Sequence, residues 1–232
     1  MARDPRTGKP LNVTKSRRKK QYIETREGPW LAIQETDIIP LANGDISDYQ
    51  ISWRSKQYNL QREDGILGLT RLKGPKATAA HKSLLLALED ERPSVRVSAL
   101  KALPEVATQK SDELFDWLSV LLDDKDVSVR QAASEALAIS APVFPSGVDI
   151  IIHNELRSFE PNRSKQAFKG LESLCEAWPE VACDHIDELF LETDAELRLK
   201  GAKLLGRVLV KSGHIGWDLV SWALNDLSLI HI

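Results

Sequence analysis

The feature that most constrains this chain is a period. Stepping by 34 residues from Arg62 brings Arg96, Arg130, Ser164 and Arg198 into register. Three residues after each stand Gly65, Ala99, Ala133, Ala167 and Gly201, all small. At six and seven residues on come Gly68-Leu69, Ala102-Leu103, Ala136-Leu137, Gly170-Leu171 and Leu204-Leu205. Twelve residues upstream of the register point, Leu84, Leu118, Ile152, Ile186 and Val220 line up, and eight upstream, Leu88, Leu122, Leu156, Phe190 and Leu224. Coincidence at one period, without gaps, over so many positions identifies an internal repeat.

Each unit holds two stretches with apolar residues at helical spacing. The turns between them, EDERPS, DDKDVS, FEPNRS and ETDAE, are rich in capping residues and proline. The first helix of each pair (A) is expected near 81–90, 111–123, 146–158, 183–192 and 214–225. The second (B) is expected near 60–73, 94–109, 128–141, 162–177 and 195–212. A lone pair leaves apolar surface bare, so the pairs must stack into a solenoid, with the small residues letting helices approach closely.

The pattern Asp124…Val129-Arg130…Ala133…Ala136-Leu137, with Asp90…Val95-Arg96…Ala99…Ala102-Leu103, resembles the HEAT repeat in its short bacterial and archaeal form. The resemblance covers roughly residues 55–226 and loosens in the later repeats, where Ser164 replaces the arginine and Ser158 and Glu192 replace the aspartate. It implies an all-α, right-handed α-solenoid of about four to five HEAT-like helix pairs, with B helices lining the concave surface. It also implies that Asp90, Arg96, Asp124, Arg130 and Arg198 form a ladder between repeats, a structural role rather than a catalytic one.

The net charge of −3 hides an asymmetry. Residues 1–20 carry eight basic side chains against Asp4 alone, so the rest of the chain stands at −10. The organisation read from this is a basic, disordered arm over 1–25, a capping segment over 26–55 that folds back on the open end of the solenoid, and the repeats over 56–226. No apolar run approaches the roughly 20 residues that span a bilayer, and MARDPRTGKP has no signal-type core. Two cysteines make no disulfide framework. A cytoplasmic, monomeric protein with no membrane contact is expected.

Acidic side chains predominate on the A stretches and basic ones on the B stretches. Five residues after the register point stand Lys101, Glu135, Lys169 and Lys203, and Lys165, Lys200 and Arg207 lie on the same side of the later B helices. Stacked B helices about 10 Å apart would turn these into a broken basic ridge. The function expected is a binding scaffold that holds a protein partner on its concave B-helix surface. The competing reading is phosphate-backbone binding through the same ridge and the basic arm.

Catalytic signatures do not appear: the sequence holds no GxSxG, Walker A loop, HExxH or Cys-His nucleophile arrangement. Cys175, Cys183 and His185 have a C-x7-C-x-H spacing unlike a structural zinc pair. Cys175, Trp117 and Trp222 are assigned to the core, and His153 has no evident partner. No catalytic residue, metal or cofactor is expected. Among enzymes built from similar units, deoxyhypusine hydroxylases carry His-Glu dipeptides, which this sequence lacks. A bilin lyase finds no marker residue, and a HEAT-like DNA glycosylase would need a groove carboxylate such as Glu135.

The chain closes on LSLIHI, residues 227–232, directly after a fifth A stretch with no B stretch following. These six residues can be encoded by CTGTCTCTTATACACATC, a common transposon sequencing adapter. Residues 227–232 are therefore expected to be a non-native tail on a metagenomic fragment.

Overall fold

The computed structural model of the protein describes residues 27–108, 111–158 and 160–226. The basic arm and the LSLIHI tail lie outside the described residues. Among the described residues the helices are α1 (Ile38–Asn43), α2 (Arg62–Gly68), α3 (Ala77–Leu88), α4 (Pro93–Val106), α5 (Asp112–Leu121) and α6 (Val127–Ser140), continuing with α7 (Pro145–Glu155), α8 (Pro161–Ala177), α9 (Pro179–Phe190), α10 (Ala195–Ser212) and α11 (Trp217–Asn225). Helices α3, α5, α7, α9 and α11 are the A helices; α2, α4, α6, α8 and α10 are the B helices. Their starts follow from local chemistry. Pro93, Pro145 and Pro179 stand in first turns, where a missing N–H costs nothing. Asp126 and Asp194 cap α6 and α10 by accepting from the Ser128 and Glu196 amides, both at 2.8 Å.

The periodic positions become the core. Leu84, Leu118, Ile152 and Ile186 of the A helices, and Leu69, Leu103, Leu137 and Leu171 of the B side, are all buried. The small residues sit where B helices pack against neighbours: a Cβ added at Gly170 would lie 2.7 Å from Leu137 Cδ2. Consecutive B helices pack in one continuous row, while consecutive A helices meet more loosely. The result is an all-α solenoid, with one added hairpin.

That hairpin is a departure from the helical pattern. β1 (Tyr49–Trp53) pairs antiparallel with β2 (Lys56–Leu60), Tyr49 opposite Leu60 and Trp53 opposite Lys56. Arg54 and Ser55 form the two-residue turn at φ 49° and 63°, the positive-φ geometry of a type I′ turn. No Asn-Gly or Asp-Gly marks it in the sequence, and the segment was expected only as a cap of undefined form. Trp53 and Tyr58 make an edge contact at 6.0 Å, and Arg54 lies 4.3 Å above the Trp53 ring.

The hairpin runs from α1 to α2, and these two helices pack so tightly that a Cβ at Gly65 would lie 2.5 Å from the Ala42 amide nitrogen. Trp30, Ile33, Ile38 and Leu41 join the core here. Arg71 Nη1 donates to the Ile33 carbonyl at 2.7 Å, tying this region to the end of α2.

The far end corrects one expectation. Trp222, assigned to the core from its spacing, is 57% exposed, and Leu224 of the same helix is 70% exposed. The positions equivalent to Trp222 one repeat apart include Val120 and Leu86, 56% and 59% exposed, so this position faces outward along the whole row. Those equivalent to Leu224, namely Leu88, Leu122, Leu156 and Phe190, are buried, and no described helix follows α11 to cover Leu224. Trp117 is half-buried and packed against the core.

Candidate functional site

The charged residues fall into two sets, one between repeats and one on the B surface. Between repeats, a register arginine can reach in two directions. Backward, it caps the carbonyls that end its own A helix: Arg96 Nη1 donates to the Asp90 and Glu91 carbonyls at 2.7 and 3.0 Å, and Arg198 Nη1 to Glu192 and Thr193, both at 2.8 Å. Forward, it meets the aspartate 28 residues on, as Arg62 meets Asp90, Arg96 meets Asp124 and Arg198 meets Asp226. Arg130 keeps the backward bonds, to the Asp124 and Lys125 carbonyls at 2.6 and 3.2 Å. Its forward position holds Ser158, which offers no charge. The hydroxyl of Ser164 caps the Leu156 carbonyl instead, at 2.9 Å.

Burial alone would raise the Asp90 carboxyl, but the Arg92 amide and the Arg62 guanidinium outweigh it and hold it below the ordinary aspartate range. All these side chains are spent on helix ends and inter-repeat contacts, so they offer a ligand little.

On the B surface, Lys165, Lys169, Lys200, Lys203 and Arg207 line one open groove between α8 and α10, of about 350 Å³. Phe168, Leu204 and Glu172 complete its lining. Lys200 Nζ stands 4.8 Å over the Phe168 ring and 3.2 Å from Glu196, and Arg207 pairs with Glu172 at 3.3 Å. Among the described residues, no ion pair engages Lys165, Lys169 or Lys203. The groove therefore offers three uncommitted ammonium groups around a floor of one phenyl ring and one leucine. Lys101 lies exposed on α4, two B helices away, and does not line it; Glu135, exposed on α6, stands between. The basic residues thus form a local groove at the later repeats, with Lys101 apart from it.

The thiols are not a reactive pair. Cys175 is buried, and burial pushes it up to about 12, helped by Cys183. Cys183 is pushed up to about 11 by burial first and then by Asp218, Asp184 and Glu180. Both stay protonated at neutral pH, where the thiol is a poor nucleophile.

His185 belongs to a different neighbourhood from the Cys-Cys-His grouping of the sequence. Its Nε2 lies 2.7 Å from Asp149 Oδ1, and His153 Nδ1 lies 3.5 Å from Glu188 Oε2. The ligand atoms of His153, His185 and Glu188 fall within 4.8 Å of one another. His153 therefore has partners after all, because α7 and α9 are successive A helices. The signal that could have found them is spacing: Asp149 and His153 are four apart, and His185 and Glu188 three apart, one repeat later.

Compared with known proteins, residues 82–150 match the family model for HEAT repeats. No curated protein matches the sequence. Among solved structures, a crystal structure of an engineered protein is 18% identical, covering 87% of this chain and 94% of that chain at a TM-score of 0.41. A second engineered protein is 16% identical over 84% of this chain and 94% of that chain, at 0.43. A designed armadillo repeat protein in complex with the peptide (KR)4 is 14% identical over 82% of this chain and 90% of that chain, at 0.42.

Proposed function

We propose that this HEAT-like solenoid is a binding scaffold, and that its partner is a protein segment carrying acidic and apolar side chains, held in the groove between α8 and α10. One observation carries the reading: Lys165, Lys169 and Lys203 are without ion-pair partners among the described residues and surround the apolar floor of Phe168 and Leu204. A carboxylate-bearing segment would gain charge-assisted contacts at the rim and place an apolar side chain on the floor. Phosphate alone would use the rim and leave the floor bare. Repeat solenoids suit this work because stacking repeats extends one continuous surface.

The test is fluorescence anisotropy with labelled glutamate-leucine peptides and, in parallel, single- and double-stranded DNA and RNA, at several salt concentrations. The expected result is peptide binding that weakens modestly with salt and falls at least about tenfold in the triple charge reversal K165E/K169E/K203E, roughly 1.4 kcal/mol. Nucleic-acid binding that falls log-linearly and steeply with salt, and that is lost in the same variant, would replace the protein reading with the nucleic-acid one. Peptide binding unchanged by the reversal would remove the groove from the account altogether.

A further inference from the structure

We propose a second site on the opposite, A-helix side: a divalent metal site, best suited to Zn²⁺, formed by Asp149 and His153 of α7 with His185 and Glu188 of α9. The four residues form two histidine–carboxylate rungs side by side, one at 2.7 Å and one at 3.5 Å. Each rung holds a position that a proton or a metal ion can bridge. One cation between the rungs would take the place of both protons.

Three observations argue for a site rather than chance. The donor atoms of His153, His185 and Glu188 already lie within 4.8 Å of one another, and tetrahedral zinc at about 2.0–2.1 Å from each donor needs them only somewhat closer. The approach is available, since His153, Glu188 and Asp149 are 59%, 37% and 43% exposed. The side chain of His185 is only 4% exposed, and its Nδ1 is buried without a hydrogen-bond partner among the described residues. An imidazole is a costly way to fill apolar space. It is a good metal ligand, and Asp149 against its Nε2 marks where a cation would replace the shared proton.

Two imidazoles and two carboxylates are a borderline donor set, which suits zinc better than the all-oxygen sets of calcium or magnesium. Arg157 is the local competitor, with Nη1 3.0 Å from Glu188 Oε2. Its Nε also holds Glu192 Oε1 at 2.6 Å, so it keeps a carboxylate when Glu188 turns to the metal. The site and the α8–α10 groove use no residue in common, and either can fail without the other.

The test is a Co²⁺ titration of the full chain after EDTA treatment, followed by visible d–d absorption and then by Zn²⁺ displacement. Saturation at one equivalent is expected, with the intense absorption of tetrahedral cobalt and loss of the signal on adding zinc. His153→Gln and Glu188→Gln should each weaken binding by more than about tenfold. His214→Gln and the double variant Cys175→Ser/Cys183→Ser should leave it unchanged. His185 is not the variant of choice, because its burial risks the fold. Absence of saturable binding, or equal binding in His153→Gln and Glu188→Gln, would overturn the proposal.

Discussion

The interior repeats and the last pair are written in the same register and are held together differently. At the position twelve before each register point, Leu118 is buried in the interior, and at the position eight before, so is Leu122. In the last A helix the second of these positions is Leu224, 70% exposed. The same contrast separates the rungs. Arg96 and Asp124 are enclosed, with side chains 7% and 9% exposed, whereas Arg198 and Asp226 are 19% and 18% exposed. Between them, α6 and α8 show no forward rung among the described residues, since the position 28 residues after Arg130 holds Ser158. There the chain is tied at the A-helix edge by Arg157, which spans Glu188 and Glu192, and by Arg163 on Glu155. A repeat fixes where a contact can occur; the neighbours decide what the contact is worth.

The largest effect should come from opening the enclosed rung. Asp124→Ala leaves the Arg96 guanidinium buried without its carboxylate and should cost about 3–5 kcal/mol in urea denaturation. Asp226→Ala, at the more exposed rung, should cost about 1–2 kcal/mol. Equal losses at the two sites would mean that burial does not separate them.

Leu122→Ala should cost about 2–5 kcal/mol, the range for an interior leucine whose cavity cannot fully collapse. Leu224→Ala should change stability by less than about 0.5 kcal/mol. A large loss at Leu224 would show that something covers α11 in solution.

The Asp90 rung should sharpen the picture through pH. Its carboxyl is depressed in the folded protein, so its contribution is present above the unfolded value of about 3.9 and is lost as pH falls through the folded one. The stability gap between the protein and Asp90→Asn should therefore be full at pH 7 and shrink on acidification below about pH 4. A gap that stayed constant down to the acid transition would remove the carboxylate charge from the rung.

The smallest effect is a gain. Ser158→Asp would supply Arg130 with the forward partner that Arg62, Arg96 and Arg198 have, and should add about 0.5–1 kcal/mol. No gain would mean that the turn after α7 places position 158 out of reach.

Much of this architecture was legible in the sequence. The 34-residue register located the helix pairs because period and burial share one cause: a position that faces a neighbouring helix in one repeat faces it in the next. The start of α9 came out earlier than the periodicity suggested, at Pro179 rather than near 183, because proline favours a first turn whatever apolar residue follows. The hairpin escaped notice because Arg54-Ser55 adopts a turn that such residues seldom signal. Trp222 falls at a register position that faces outward in the interior repeats too, where Leu86 and Val120 are exposed, so an apolar side chain there reports nothing of burial.

By itself the sequence determined the repeat, its two helices, the small residues at their crossings and the places of the register arginines, since all of these depend on separations of a few residues or on one constant period. Only the tertiary structure decided which charges meet. It placed five of the basic residues on one groove and Lys101 elsewhere, and it set His153 against Glu188 and Asp149 against His185 across two helices. Those meetings depend on the stagger between helices some 35 residues apart in the chain. That stagger is set by how whole faces pack, and the register of a single repeat does not contain it.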